Sequence, residues 1–255
     1  MISILMSCYK SNTTYLKEQI ESIMKQTEKD WELLIYDDGE NPCLKELLNE
    51  YHYDKRIIMF DNGTHLGYAK AYNYLLHFAE GEYICFCDHD DIWEPDKLEV
   101  SKKYIDEHPS CDCVFGWLKW FGSKNKLESF SITDEDISKQ LYFYQPIKHP
   151  TVMFRKERFG EFDAPFDAAA DFWFWAKHKD RHYHLIEKVM VNYRRHADEM
   201  TKDKTAFREN SAKVIYKSLC EKFGKDFVLF AVCRTLDRYS KTYNDELKKV
   251  IEAKL

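Results

Sequence analysis

Residues 82–98 read EYICFCDHDDIWEPDKL, an apolar run that ends abruptly in four polar residues, three of them aspartates. The apolar part is predicted to be a buried strand, and Pro95 is predicted to open a helix. Asp88 and Asp90 would share one side of an extended segment, where two like charges repel unless a cation lies between them. Oxygen ligation of this kind suits Mg or Mn. The alternative is a solvated turn in which an aspartate caps the following helix.

Upstream of this stretch, strand patterns alternate with helical spacing of apolar residues. The other predicted strands are 2–8, 31–36 and 56–60, and the helical faces are 16–24, 42–48 and 72–79. A series of this kind predicts an α/β fold with a mostly parallel central sheet flanked by helices on both faces.

Three polar segments directly follow predicted strands. They are Ser7-Cys8-Tyr9, Asp37-Asp38-Gly39 and the acidic run 88–91. Ligands of parallel α/β sheets bind beyond the carboxyl ends of the strands. We therefore expect these segments to meet at one edge of the sheet and to form the functional site. For the Asp-Asp-Gly segment taken alone, turn chemistry is the alternative.

The second half of the chain has less regular patterns. The predicted elements are a strand at 113–121, a polar loop with a short helix at 122–140, a strand at 149–154 beginning at Pro150, a helix at 171–179 and a strand region at 182–196. From about residue 205 the pattern is helical, with a break near Gly224. We therefore predict one α/β domain, residues 1–204, and a C-terminal helical extension, residues 205–255. The apolar faces of the extension would pack on the domain, pair two subunits or contact a membrane surface.

Bulk properties argue against several classes of protein. The net charge of −6 gives no general basic footprint for nucleic acid. The opening ISILMSC is predicted to be a strand without the basic segment of a secretory signal, and the apolar run 227–233 is too short to span a bilayer. These features predict a cytoplasmic protein. The pairs Cys85/Cys87 and Cys111/Cys113 are expected to line the core, with structural zinc as the alternative.

Two nucleotide-binding signatures are missing from the sequence. The eight glycines form no G-x-G, so neither the dinucleotide fingerprint nor a P-loop is present. A nucleotide would have to be held in another way. The G-x-S-x-G elbow of the α/β-hydrolases is absent as well.

The ordered set of motifs resembles family 2 of the glycosyltransferases, which have the GT-A fold. The similar stretches are ISILMSCYK (2–10), KQTEKDWELLIYDDG (25–39), HLGYAKAYN (65–73, similar to NLGYAKAYN), AEGEYICFCDHDDIWEPDKL (79–98), HPTVMFRKE (149–157), ADFWFWAK (170–177) and NYRRH (192–196). They cover residues 1 to about 196 in the right order, which makes the resemblance specific. The DHDDIWEPDKL stretch is most similar to bacterial enzymes that build surface polysaccharides, including rhamnosyltransferase-like members.

The resemblance implies a nucleotide-diphosphate sugar as the donor. Asp88 and Asp90 would bind a divalent cation, Mn or Mg, on the diphosphate, which relieves the repulsion between them. Asp91 would support the site or reach the donor sugar. Ser7 and Tyr9 would lie beside the base, with Tyr9 stacking on it.

The resemblance also implies that Asp38 accepts a hydrogen bond from the base. Uracil and thymine carry an imide N–H that a carboxylate can accept, so a UDP- or dTDP-linked donor is favoured. Relatives often have an arginine before the asparagine of the third helix. Here Tyr72 precedes Asn73, so any donor contact from that arginine is lost or replaced.

By the same resemblance, Asp171 is the general base that takes the proton of the acceptor hydroxyl. Three alanines precede it where many relatives carry another acid, so Asp163 and Asp167 are alternatives, and helix N-capping is the structural alternative. His196 matches a histidine that ligates the metal in some relatives, and a surface histidine is its alternative. The two arginines before it would contact the diphosphate or lie in solvent.

These assignments predict an inverting, metal-dependent glycosyltransferase. It would move a sugar to a hydroxyl of a glycan or lipid-linked oligosaccharide in bacterial surface polysaccharide synthesis, in the cytoplasm or at the inner face of the membrane. One alternative is a sugar nucleotidyltransferase, which would need a glycine-rich loop where MSCYKSNTT (6–14) contains no glycine. The other is a non-catalytic nucleotide-sugar binding module, in which Asp171→Asn would leave any activity unchanged.

Overall fold

The computed structural model of the chain describes residues 1–39, 41–197 and 204–224. The strands are β1 Ile2–Cys8, β2 Trp31–Asp37, β3 Ile57–Phe60, β4 Tyr83–Cys87, β5 Ile92–Trp93, β6 Cys113–Gly122, β7 Lys126–Glu128, β8 Met153–Arg155 and β9 Tyr183–Arg195. The α-helices are α1 Thr13–Met24, α2 Pro42–Asn49, α3 Tyr68–Phe78, α4 Lys97–Glu107, α5 Asp134–Gln140, α6 Ala170–Lys177 and α7 Lys204–Phe223. Two short 3₁₀ helices lie at His149–Thr151 and Lys156–Arg158.

The nine strands of the described residues form one sheet in the order β3-β2-β1-β4-β8-β6-β9-β5, with β7 paired to β6. Neighbours among β1 to β4 run parallel, with Ile2 opposite both Trp31 and Tyr83. The β6–β9 pair is also parallel, whereas the pairs made by β5, β7 and β8 are antiparallel. The predicted mostly parallel sheet is therefore confirmed, with antiparallel strands added in its second half.

The central strands bury side chains on both faces of the sheet. Along β1, Ile4 and Met6 pack with α1 and α4, whereas Leu5 packs with α3 on the opposite face. Burial on both faces explains why these strands are continuous apolar runs without alternation. Cys85 and Cys87 share one of these faces and are fully buried, and both cysteines of the other C-x-C pair are buried too.

The helices that follow β1 and β4 begin close to the predicted residues. The Asn12 side chain caps α1 by accepting the backbone N–H of Thr14 at 3.0 Å and of Tyr15 at 3.3 Å. The helix expected at Pro95 begins two residues later, at Lys97, with Asp96 at its N-cap. Helix α1 therefore starts just beyond the end of β1, whereas the acidic run and β5 separate β4 from α4.

The predicted strand at 149–154 is wrong in its first half. His149–Thr151 is a 3₁₀ turn, and β8 begins only at Met153. Pro150 cannot donate a hydrogen bond to a sheet ladder, and the Thr151 hydroxyl donates to the Lys148 carbonyl at 2.7 Å. A local turn therefore replaces the extended segment until β8 reaches β4.

Helix α7 packs on the α/β domain. Val214 is buried together with Phe172 and Ala176 of α6, so packing accounts for this part of its apolar surface. The helix is followed by Gly224, whose φ of 82° is a left-handed value that suits glycine. The predicted helical pattern beyond residue 224 lies outside the described residues, as do any dimer or membrane faces there. The domain boundary at residue 204 stays a prediction.

The helices within residues 1–39, 41–197 and 204–224 include none that is both long enough and apolar enough to cross a bilayer.

Candidate active site

The carboxyl ends of β1, β2 and β4 lie side by side. Cys8 at the end of β1 is opposite Asp37 at the end of β2, and Met6 is opposite Cys87 at the end of β4. The three polar segments that the sequence marked therefore meet at one edge of the sheet. Across this edge, the Nδ1 atom of His89 lies 3.3 Å from the carbonyl oxygen of Ser7.

Asp38 ties β2 to the loop that precedes α3. Its side chain is only 3% exposed, and its carboxylate accepts the backbone N–H of Leu66 on Oδ1 and of Gly67 on Oδ2, the latter at 3.1 Å. Burial raises the pKa of this carboxyl above its usual range. The structure thus places Asp38 beneath the loop, beside Tyr9 and His65.

Tyr9 and His65 form a stacked pair at the surface of this edge. The ring centroids are 4.6 Å apart and the rings are inclined by 27°. The Nδ1 atom of His65 lies 2.6 Å from the Asp38 carbonyl oxygen, which makes it the donor in that hydrogen bond. Sequence reasoning missed His65, although the signal was present: HLGYAKAYN has histidine where the similar NLGYAKAYN has asparagine.

The acidic run after β4 is partly withdrawn from water. Asp91 is fully buried, and its Oδ1 accepts the backbone N–H of Arg194 at 2.8 Å. Desolvation and the charges of Asp90 and Asp171 raise the pKa of Asp88 to about 7. Desolvation, with Asp90 and Asp88 nearby, also raises the pKa of Asp91 well above its usual range. The fold therefore concentrates like charges in a place where ionising all of them is unfavourable.

His196 reaches the same cluster from the end of β9. Its Nε2 atom lies 2.7 Å from Oδ2 of Asp90, and its side chain is 17% exposed. The structure thus brings His196 to the acidic run, and its role as a metal ligand stays a prediction.

Arg194 supports the acidic run from behind. Its Nε donates to the Asp90 carbonyl at 2.7 Å, and its guanidinium pairs with Glu18 of α1. The guanidinium also lies 4.2 Å from the ring centre of Tyr15 and 4.4 Å from that of Phe121. These contacts make Arg194 a brace between α1, β6 and the acidic loop, which differs from both roles suggested for it by the sequence.

Asp90 and His196 are the donors that a divalent cation would meet at the acidic run. Within the described part of the chain, no group of three His, Cys, Asp or Glu residues is arranged to hold a metal. Asp90 and His196 instead contact each other directly. Mg and Mn sites often use only one or two carboxylates and complete their coordination with substrate phosphates. Carboxylate oxygen suits both Mg and Mn, and imidazole nitrogen is a donor typical of transition metals, which favours Mn over Mg at this place.

Asp171 lies in the first turn of α6, as its second residue. The N-cap position is taken by Ala169, whose φ of 66° is unusual for a residue other than glycine, so N-capping does not explain Asp171. Its Oδ2 accepts Nε2 of Gln145 at 2.9 Å, and its Oδ1 accepts the backbone N–H of Phe172 at 2.8 Å. Gln145 was missed because it belongs to an irregular segment whose approach to α6 has no local signal.

The two alternative aspartates have other surroundings. Asp163 accepts hydrogen bonds from Trp173 Nε1 and Lys177 Nζ, both at 2.8 Å, at the outer side of α6. Asp167 lies against Gly67, where an added Cβ would stand 3.1 Å from each carboxylate oxygen. Asp171, by contrast, is among the charges that raise the pKa of Asp88. Of the three aspartates, Asp171 is therefore the one near the acidic run, and its role as the base stays a prediction.

Two tyrosines complete the surroundings of the acidic run. Desolvation raises the pKa of Tyr68 well above its usual range, with Asp88 and Asp171 among the nearby charges that add to the shift. Desolvation followed by the charge of Asp88 does the same for Tyr193. Both phenols therefore lie close to the carboxylates. Neither was identified from the sequence, where an aromatic residue in a helix or strand more often signals core packing.

His149 lies beneath the site, inside the aromatic core. It is 5% exposed and stacks on Phe86, with ring centroids 4.6 Å apart and an interplanar angle of 9°. Within the described residues, neither ring nitrogen has a hydrogen-bond partner. Burial lowers the pKa of His149 to about 4.

His149 is expected to make folding stability sensitive to acid. An unfolded histidine has a pKa near 6.5, so the unfolded chain binds the extra proton first as the pH falls through the window from about 6.5 to about 4. Between pH 7 and pH 4.5 this single group should reduce the free energy of unfolding by about 2 kcal/mol. His149→Phe keeps an aromatic ring and removes the titrating group. Between pH 7 and pH 4.5, its free energy of unfolding measured with urea should therefore fall by about 2 kcal/mol less than that of the wild-type protein. An equal loss in both proteins would contradict the assignment.

Comparisons with known proteins identify the family of the chain. Residues 3–224 match the family described as Glycosyl transferase family 2. An uncharacterized glycosyltransferase of Methanocaldococcus jannaschii is 30% identical over 204 residues, 76% of this chain and 70% of that protein. WfgD of Escherichia coli, a UDP-Glc:alpha-D-GlcNAc-diphosphoundecaprenol beta-1,3-glucosyltransferase, is 28% identical over 175 residues, 69% of this chain and 68% of that protein.

Among solved structures, S. aureus TarS in complex with UDP-GlcNAc is similar, with a TM-score of 0.68 and 20% identity over 89% of this chain and 69% of that one. At this level of identity the likeness concerns the fold alone, and the predicted GT-A fold is confirmed. The family match spans both the strand ends and α6, and so includes every residue of the candidate site. This chain belongs to glycosyl transferase family 2.

Proposed function

We propose that this glycosyltransferase is an inverting, metal-dependent enzyme that moves a sugar from a UDP- or dTDP-sugar to a hydroxyl of a glycan or lipid-linked oligosaccharide. The process would be bacterial surface polysaccharide synthesis, in the cytoplasm or at the inner face of the membrane. The observation that carries the proposal is the meeting of the acidic run after β4 with the ends of β1 and β2, where Nε2 of His196 lies 2.7 Å from Oδ2 of Asp90. Asp171 is near enough for its charge to add to the raised pKa of Asp88. A base and a diphosphate site would thus face each other.

Asp171 would act as the general base of a single displacement. The acceptor oxygen forms its bond to the anomeric carbon while the bond from that carbon to the diphosphate oxygen breaks, and attack from the opposite side inverts the configuration. The acceptor proton passes to the Asp171 carboxylate. The amide of Gln145 and the Phe172 N–H each donate to one carboxylate oxygen, which fixes the orientation of the base and leaves each oxygen able to accept again.

Asp90 and His196, with Asp88 beside them, would hold Mn or Mg together with oxygens of the diphosphate. A cation bound there supplies charge stabilisation to the departing diphosphate. Asp91 would serve this site indirectly, since its buried carboxylate accepts the Arg194 N–H and so joins the acidic run to β9.

Ser7, Tyr9 and Asp38 would contact the nucleobase of the donor. A carboxylate oxygen that accepts one backbone N–H keeps a further lone pair, so Asp38 can also accept the imide N–H of uracil or thymine. The name of WfgD gives a UDP-glucose donor and a diphosphoundecaprenol-linked acceptor, and TarS was solved with UDP-GlcNAc. These names support a UDP-linked donor and a lipid-linked acceptor here.

A thermal-shift screen tests the proposed donor. UDP-, dTDP- and GDP-sugars are added to the purified protein with and without Mn, and ADP-glucose serves as a control whose base lacks the imide N–H. A donor at a hundredfold excess over its Kd should raise the Tm by about 5 to 10 °C. Stabilisation by a UDP- or dTDP-sugar that increases with Mn is the expected result. No response to any of the donors would count against the function.

A further inference from the structure

His65 already occupies one of the two contacts that the proposed function gives to the base, the face of Tyr9, and it lies beside the second, the Asp38 carboxylate. Its ring stacks on Tyr9, with centroids 4.6 Å apart at 27°. Its Nδ1 lies 2.6 Å from the carbonyl oxygen of Asp38 and 3.4 Å from Oδ2 of the same residue. An imidazole is a flat ring with an N–H donor, which are the two properties that uracil would use at this place.

The side chain of His65 is free to leave while its backbone stays in place. It is 55% exposed, whereas the Asp38 side chain is 3% exposed. The loop is anchored separately, because the Asp38 carboxylate accepts the backbone N–H groups of Leu66 and Gly67. Rotation of His65 about its side-chain bonds would therefore uncover Tyr9 without breaking these loop contacts.

We propose that His65 competes with the nucleotide base for the face of Tyr9 and the space beside the Asp38 carboxylate, so that a base binds only by displacing the imidazole. This inference rests on the proposed function, since it takes Tyr9 and Asp38 to be the base site. When the competent state is only partly populated, the apparent Kd rises by the reciprocal of that fraction. A stacked aromatic pair with one hydrogen bond is strong enough to change affinity about three- to tenfold.

The test compares His65→Ala with the wild-type protein by calorimetric titration in the presence of Mn. UDP and dTDP contain the base, whereas inorganic pyrophosphate offers only the phosphate contacts. His65→Ala should bind UDP or dTDP about three- to tenfold more tightly than wild type and should bind pyrophosphate equally well. His77→Ala, which removes an exposed histidine at the far end of α3, should change neither affinity.

A second measurement uses the unmodified protein. The ring protons of His65, assigned by their absence in His65→Ala, should show the upfield ring-current shift of a stacked imidazole and lose it when UDP is added. Unchanged His65 signals at saturating UDP would overturn the proposal.

Three binding results would also overturn the proposal, and they separate it from the proposed function. If His65→Ala binds UDP as tightly as wild type or more weakly, the proposed competition is rejected and the proposed donor site is retained. If both proteins bind UDP and dTDP no more tightly than pyrophosphate, the base site at Tyr9 is rejected and the phosphate site is retained. No binding of UDP, dTDP or pyrophosphate to either protein rejects the proposed function itself.

Discussion

Asp171→Asn is expected to lower the rate of glycosyl transfer by about 10³-fold, the middle of the range for loss of a general base. Asparagine has nearly the same shape and can keep the acceptor role toward the Phe172 N–H, but its amide cannot take a proton. The affinity for the donor nucleotide should stay close to that of the wild-type protein, because the nucleotide contacts assigned here lie at β1, β2 and β4.

The measurement is kcat with the donor found in the thermal-shift screen, together with the Kd of UDP. Asp163→Asn is the matched control: the same chemical change at an aspartate whose carboxylate pairs with Lys177 and Trp173 at the outer side of α6. It should keep a rate within about twofold of wild type, since it breaks a surface ion pair. If Asp163→Asn lost activity while Asp171→Asn kept it, the assignment of the base would be reversed. If the wild-type protein bound the donor without any turnover, the protein would be a binding module.

Asp90→Asn is expected to lower transfer by about 10²- to 10³-fold, the range for loss of one group that stabilises developing charge. Asp90 carries the carboxylate that contacts His196 at 2.7 Å, so this change removes the anionic half of the pair. Calorimetry supplies a readout besides turnover. In wild type, Mn should tighten UDP binding, and in Asp90→Asn most of that gain should disappear.

Asp96→Asn is the control for this second experiment. Asp96 precedes α4, six residues beyond Asp90 in the sequence, and pairs with Lys188 at the surface. Its replacement should preserve the response of UDP binding to Mn. An Asp90→Asn protein that still binds UDP more tightly with Mn than without it would show that the cation, if needed, is held elsewhere.

The first half of the fold was predictable because its signals are local. Strands buried on both faces are continuous apolar runs, as in β1 and β4, and the helices between them repeat apolar residues every three to four positions. Residue identity also marks helix starts, as Asn12 does for α1. The rule that ligands bind at the carboxyl ends of parallel strands then predicts that Tyr9, Asp38 and the acidic run lie together.

The second half was less predictable because its strands depend on distant partners. β6 and β9 pair in parallel with register shifts near Trp117, and no local pattern specifies such irregular pairing. Residues 149–154 have a strand pattern, but the first three of them form a 3₁₀ turn around Pro150. The residue at which the strand begins is set by the pairing of β8 with β4, which is a tertiary contact.

The sequence by itself determined the α/β class, the order of the first four strands and helices along the chain, and the acidic run at a strand end, because each follows from neighbouring residues. Only the tertiary structure decided that Gln145 donates to Asp171, that Arg194 braces the acidic loop, and that His65 covers Tyr9. These contacts join segments from 26 to more than 100 residues apart or depend on how a loop folds back over a strand end. They arise when the sheet closes and its helices pack, and that packing is a property of the whole chain rather than of any stretch within it.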